Sequence, residues 1–125
     1  MSDQVYEGLI KVRGPGDETS VKLLQRHDPA MLAGLKAYYA DAILGRTDGA
    51  TSRPTKEMVI MVCAAAQRSW SGMTQHMAKA LDHGAKPREI LEFIEAASIN
   101  AGIPVLWRGT RALAEELERR GLPFE

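Results

Sequence analysis

Cysteine is nearly missing from this chain of 125 residues, which has only Cys63. One thiol cannot close an intrachain disulfide, so packing alone must hold the fold, and such a composition suits a reducing compartment. Within Met61-Val62-Cys63-Ala64-Ala65-Ala66 the cysteine is expected to be a small buried hydrophobe. Aromatic residues are scarce, at 6%, and alternating β-branched runs flanked by turns do not occur, which removes the signature of hairpins and sandwiches. Asp48-Gly49 stands in a polar stretch, 46–52, that reads as a plain loop. An excess of one charge is also missing, with 16 Lys and Arg against 16 Asp and Glu. No basic stripe forms, so nucleic acid is not an expected partner. The longest apolar run, residues 58–66, falls well short of the ~20 residues a bilayer span needs. Met1-Ser2-Asp3-Gln4 does not lead from a basic segment into an apolar one, so no signal peptide is expected. Together these absences predict a cytoplasmic protein without membrane association, folded as a single domain over residues 1–125.

The patterns that remain are helical. The first helix is predicted over residues 3–12 and stopped by Gly14-Pro15-Gly16, with a short second one over 18–27. Asp28-Pro29 is a start signal, an N-cap followed by proline at the first helical position. Beyond it Met31, Leu32, Leu35, Tyr38, Tyr39, Ala42 and Ile43 recur at helical spacing as far as Gly45. Pro54 opens a fourth helix that is apolar nearly all round, as a central core helix or a subunit interface would be. A fifth spans about 72–83, Lys86-Pro87 starts a sixth, and the last runs over 104–120 after Ala101-Gly102-Ile103-Pro104. The fold class is therefore all-α, a compact bundle of about six to seven helices.

Two residues in this pattern carry chemistry. Glu57 stands beside Met58-Val59-Ile60-Met61-Val62, and two readings of it are open. A buried carboxyl with a raised pKa would suit a proton donor or relay, whereas a glutamate in the first helical turn simply favours the helix N-terminus. His76 lies between Met73, Met77 and Ala80. An imidazole there is either a satisfied core residue or a group that gives and takes protons near neutral pH. His83, seven residues on, is about 10 Å away along the axis, too far to share a metal. With no Cys/His cluster, no metal and no cofactor are expected. Arg53, Arg68 and Arg108 are candidate cations for holding a substrate carboxylate in paired hydrogen bonds. Trp70 and Trp107 are candidate pocket walls, and Ser69 and Ser71 candidate hydrogen-bond donors.

The order of these elements resembles the carboxymuconolactone decarboxylase family, whose relatives include AhpD-type alkylhydroperoxidases. The likeness rests on Glu57 in its apolar run, His76 on the next helix, Gly84 with Pro87-Arg88-Glu89-Ile90, and the Ala101-Gly102-Ile103-Pro104 turn, over roughly residues 30–118. It implies an AhpD-like helical bundle assembled as a homotrimer or homohexamer with sites near subunit contacts, and it implies His76 and Glu57 as the catalytic pair. The peroxidase-like branch has a Cys-x-x-Cys pair before the histidine. Here those places hold Ser69 and Gly72, neither of which can supply a thiolate. The decarboxylase branch has acidic residues just before the histidine, yet residues 70–75 carry none. The expected function is non-redox decarboxylation of a small carboxylated lactone or keto acid. The alternatives are lactone isomerase, lyase or hydrolase chemistry on the same pair, or a catalytically silent oligomeric binding protein.

Overall fold

Asp28 caps the helix that follows it, its carboxylate accepting a hydrogen bond from the Met31 amide at 3.1 Å, with Pro29 in the first turn. The same chemistry recurs at Ser52, whose hydroxyl accepts from the Thr55 amide at 3.3 Å just ahead of Pro54. Glu89 performs the reciprocal task for the helix begun by Pro87, accepting from the Lys86 amide at 2.8 Å. These short local bonds satisfy donors that a helix start otherwise leaves without partners.

The computed structural model describes residues 2–14 and 17–123. Pro15 and Gly16, two residues of the expected Gly14-Pro15-Gly16 stop, lie outside the described residues, as do Met1, Phe124 and Glu125. Among the described residues there are seven α-helices, one π-helical segment and no strand. The chain divides into two units, Met1–Ala50 and Thr51–Glu125.

The first unit holds α1 (Ser2–Arg13), α2 (Glu18–His27), α3 (Pro29–Lys36) and the π-helical segment Ala37–Leu44. Leu9, Val21 and Leu32 form its centre, with Tyr6, Leu24 and Tyr39 packed around them. The single helix expected up to Gly45 changes winding at Ala37, closing with a wide turn in which the Gly45 amide donates to the Ala40 carbonyl at 2.6 Å. No residue type within 37–44 announces that change.

The second unit holds α4 (Arg53–Ala66), α5 (Trp70–Asp82), α6 (Pro87–Ala101) and α7 (Ile103–Arg120). Here α4 lies along α5 and α6 along α7, over a core that includes Met58, Met61, Met73, Met77, Ile90, Ile94 and Val105. Unbranched methionine adapts its shape, so one side chain can fill the space that rigid branched ones would leave between helices. α7 ends at Gly121, which takes a left-handed φ of 66°. Arg120 ties that end to α5, pairing with Glu116 and with Asp82 at 2.9 Å and donating to the Ala78 carbonyl at 3.1 Å.

One expectation about α4 is corrected. It does not bury its cysteine: Met58, Met61 and Ala65 face inward, while Val59 is 47% exposed and Cys63 is exposed. Cys63 lies two residues from both Met61 and Ala65, and at 100° per residue that places it on the opposite side of the helix.

The approach of α6 to α7 depends on Gly109. A β-carbon there would stand 2.7 Å from Cγ2 of Ile94, inside van der Waals contact. Alanine ordinarily gains about 1 kcal/mol over glycine within a helix, but forcing a methyl group into a filled space costs about 1–3 kcal/mol. Gly109→Ala is therefore expected to lose about 1 kcal/mol net in urea unfolding. A gain in stability would show that Ile94 moves aside without cost.

Candidate active site

α4 starts at Arg53, one residue before Pro54. With Arg53 as the first residue, Glu57 falls one full turn in, and no acidic residue occupies the first turn. Its reading as a helix-start charge is thereby corrected, and its side chain lies on the inward face with none of its surface exposed. Both carboxylate oxygens have donors. Arg53, four residues earlier on the same helix, donates from Nε to Oε2 at 2.7 Å. From α5, Nδ1 of His76 meets Oε1 at 2.7 Å. The histidine itself is flanked by the buried Met73, Met77 and Ala80 and keeps 14% of its side chain exposed.

Burial is the largest influence on the Glu57 carboxyl and raises its pKa. The hydrogen bonds from His76 and Arg53, together with the charge of Arg53 and the pull of His76, outweigh it, and the pKa lies below the ordinary value. The expectation of a carboxyl raised toward neutrality, ready to donate a proton, is thus reversed: two donors at 2.7 Å each hold Glu57 ionised. An ionised carboxylate only accepts hydrogen bonds. The bond between the two side chains therefore places a proton on Nδ1 of His76, which leaves Nε2 to exchange protons with whatever approaches it. With 14% of its side chain exposed, the imidazole is not sealed in the core. The arrangement is a histidine oriented by a buried, arginine-braced carboxylate.

A family model described as the carboxymuconolactone decarboxylase family matches residues 29–115, more than half of the chain. The chain belongs to the carboxymuconolactone decarboxylase family. No curated protein and no solved structure matches it. The carboxymuconolactone decarboxylase match begins at the first residue of α3 and ends within α7, so it spans Arg53, Glu57 and His76. No described helix of this family member is long and apolar enough to cross a membrane.

Other residues singled out in the sequence of this carboxymuconolactone decarboxylase family member lie elsewhere. Arg68 takes a left-handed φ of 63° at the junction of α4 and α5, a strained conformation for a residue with a β-carbon. Its guanidinium donates from Nη2 to the Ala101 carbonyl at 2.8 Å and from Nη1 to the Ala65 carbonyl at 3.4 Å, so it clamps the turn at Gly102. Trp70 takes the guanidinium of Arg108 over its ring at 5.1 Å and that of Arg68 at 5.7 Å. Together Trp70 and Arg108 line a small cleft of about 260 Å³ with Thr74, Arg111, Glu115 and Arg119. On α5, Trp70 and Thr74 flank one side of the buried stripe Met73–Met77–Ala80, and His76 flanks the other. Trp107 is 65% exposed on a larger cleft between α6 and α7. Ser69 and Ser71 are exposed at the start of α5. Neither cleft is lined by Glu57 or His76. Arg53, expected only as a cation for a substrate carboxylate, also braces Glu57, a role whose signal in the sequence is a base four residues ahead of an acid on one helix.

Proposed function

We propose that this chain is a non-redox acid–base enzyme that decarboxylates a small carboxylated lactone or keto acid, with His76 as its proton carrier. The observation that carries the reading is the 2.7 Å contact between Nδ1 of His76 and the buried Glu57 carboxylate. Membership of the carboxymuconolactone decarboxylase family supports it at the level of reaction class. Of the three candidate arginines, Arg53 is the one joined to this pair, and with 18% of its side chain exposed it is assigned to the substrate carboxylate. In the proposed step the bond between the carboxylate carbon and its neighbour breaks, carbon dioxide leaves, and the electron pair stays behind as an enolate. Nε2–H of protonated His76 then delivers its proton to that carbon, and solvent restores the proton to the ring. Glu57 stays ionised throughout, holding the ring in one tautomer and stabilising its charged form. We assign the working form to a homotrimer or homohexamer, a reading supported by the outward apolar stripe Val59–Cys63–Ala66 on α4.

Carbon dioxide release from a panel of carboxylated lactones and β-keto acids tests the proposal. Release that disappears in His76→Gln supports it, and equal release from parent and variant refutes the role of His76. A parent that releases none but yields a product of unchanged mass supports lactone isomerisation on the same pair. The absence of a carboxylate from residues 70–75 speaks against carboxymuconolactone itself as the substrate.

A further inference from the structure

The larger cleft lies apart from the histidine–carboxylate pair, and nothing proposed above makes use of it. It encloses about 910 Å³ between the start of α6 and the length of α7, at the upper end of the roughly 300–1,000 Å³ typical of small-molecule sites. Leu91, Leu113, Leu117 and Ala114 supply an apolar floor, and the exposed indole of Trp107 forms one wall. The charged residues in the lining are all of one sign: Lys86, Arg88 and Arg111, with no carboxylate among them. Arg88 shares its charge with Glu92 at 2.8 Å across a pair that is 81% and 58% exposed, which solvent weakens. Lys86 and Arg111 form no ion pair among the described residues.

The geometry points to a second binding site here, for an amphipathic carboxylate whose apolar tail lies along Leu91, Leu113 and Leu117 and whose head meets Arg111, Arg88 and Lys86. An apolar floor alone would take any greasy molecule. Three cations without a counter-charge in the lining select the anion and reject the amine, because an ammonium head would meet only like charge. Arg111 also lines the smaller cleft beside Trp70, so it belongs to the lining of both.

The test uses the full chain and three probes of equal tail length below their micellar concentrations: decanoate, decylammonium and decan-1-ol. Binding is followed by calorimetry and by the indole N–H resonance of Trp107. Decanoate is expected to bind saturably and to shift that resonance, with decan-1-ol about tenfold weaker and decylammonium weaker still. In Arg88→Gln/Arg111→Gln, which alters two exposed side chains, decanoate is expected to weaken about tenfold while decan-1-ol keeps its affinity. Decylammonium binding as tightly as decanoate, shifts confined to resonances outside the cleft, or no saturable binding would each overturn the proposal. So would a solution oligomer that excludes decanoate and is dissociated by Trp107→Asp, since the cleft would then belong to a contact with a second copy.

Discussion

His76→Gln is expected to lower kcat roughly 10²–10⁴-fold on the substrate found by carbon dioxide release, the range that one positioned acid–base group contributes, with almost no change in thermal stability. The two effects separate because glutamine keeps what the fold needs and discards what the chemistry needs. Its amide can still donate to Oε1 of Glu57, replacing the 2.7 Å bond from Nδ1, and glutamine is a better helix former than histidine. It has no group that changes protonation near neutral pH, so nothing remains to return a proton to carbon. His76→Ala is expected to lose the same activity and in addition about 1–3 kcal/mol of stability, because it leaves a buried carboxylate oxygen without its donor. Steady-state kinetics beside urea unfolding of both variants checks this split. A glutamine variant that turns over at the parental rate would remove His76 from the mechanism.

The largest loss of stability at the site is expected from Glu57→Ala, about 3 kcal/mol, the low end for breaking a buried ion pair because Arg53 and His76 retain some hydration. Glu57→Gln keeps the volume and is expected to fold well, yet it inverts the site. Its carbonyl oxygen can accept from Arg53, but its amide presents N–H to Nδ1 of His76, which must then accept and carry its proton on Nε2 instead. The nitrogen meant to exchange protons is thereby blocked, and activity is expected to fall as far as in His76→Gln. Acid titration gives an independent reading. The folded-state pKa of Glu57 is depressed, so its contribution to stability is complete above the unfolded value, about 4.3, and is lost as pH falls through the lower, folded value. Urea unfolding of the parent across this acid range should show that loss, and Glu57→Gln should lack the share of it owed to this carboxylate. Identical acid limbs in parent and variant would mean that the carboxylate is not held ionised by its neighbours.

Much of this was legible in the sequence because it is local. Asp28-Pro29 and Lys86-Pro87 mark helix starts that the structure keeps, and the period of Ile90 and Ile94 places the inward face of α6. What was illegible depends on elements distant along the chain. Burial of Glu57 was one of two readings left open, and the direction of its pKa was not legible, because the deciding donor, His76, lies 19 residues away on another helix. Only packing can show whether α4 and α5 bring the two together. Uniform apolarity likewise concealed which side of α4 faces inward, since Val59 and Cys63 look no different from Met58 and Met61 until a neighbouring helix covers one set. The clefts were hidden for a similar reason, because each is lined by residues of separate helices that only packing brings together.

Because Cys63 is both exposed and the only thiol in the chain, covalent growth under oxidising conditions must stop after one link. Each molecule can join one other through sulfur and then has nothing left with which to extend, so a non-reducing gel can show pairs but no ladder. The same thiol gives the unmodified protein one addressable point. It stands six residues from Glu57 on the same helix, about 9 Å along its axis, within the outward stripe assigned above to the subunit contact, so its rate of labelling would report assembly: fast in separated chains and slowed once copies cover α4.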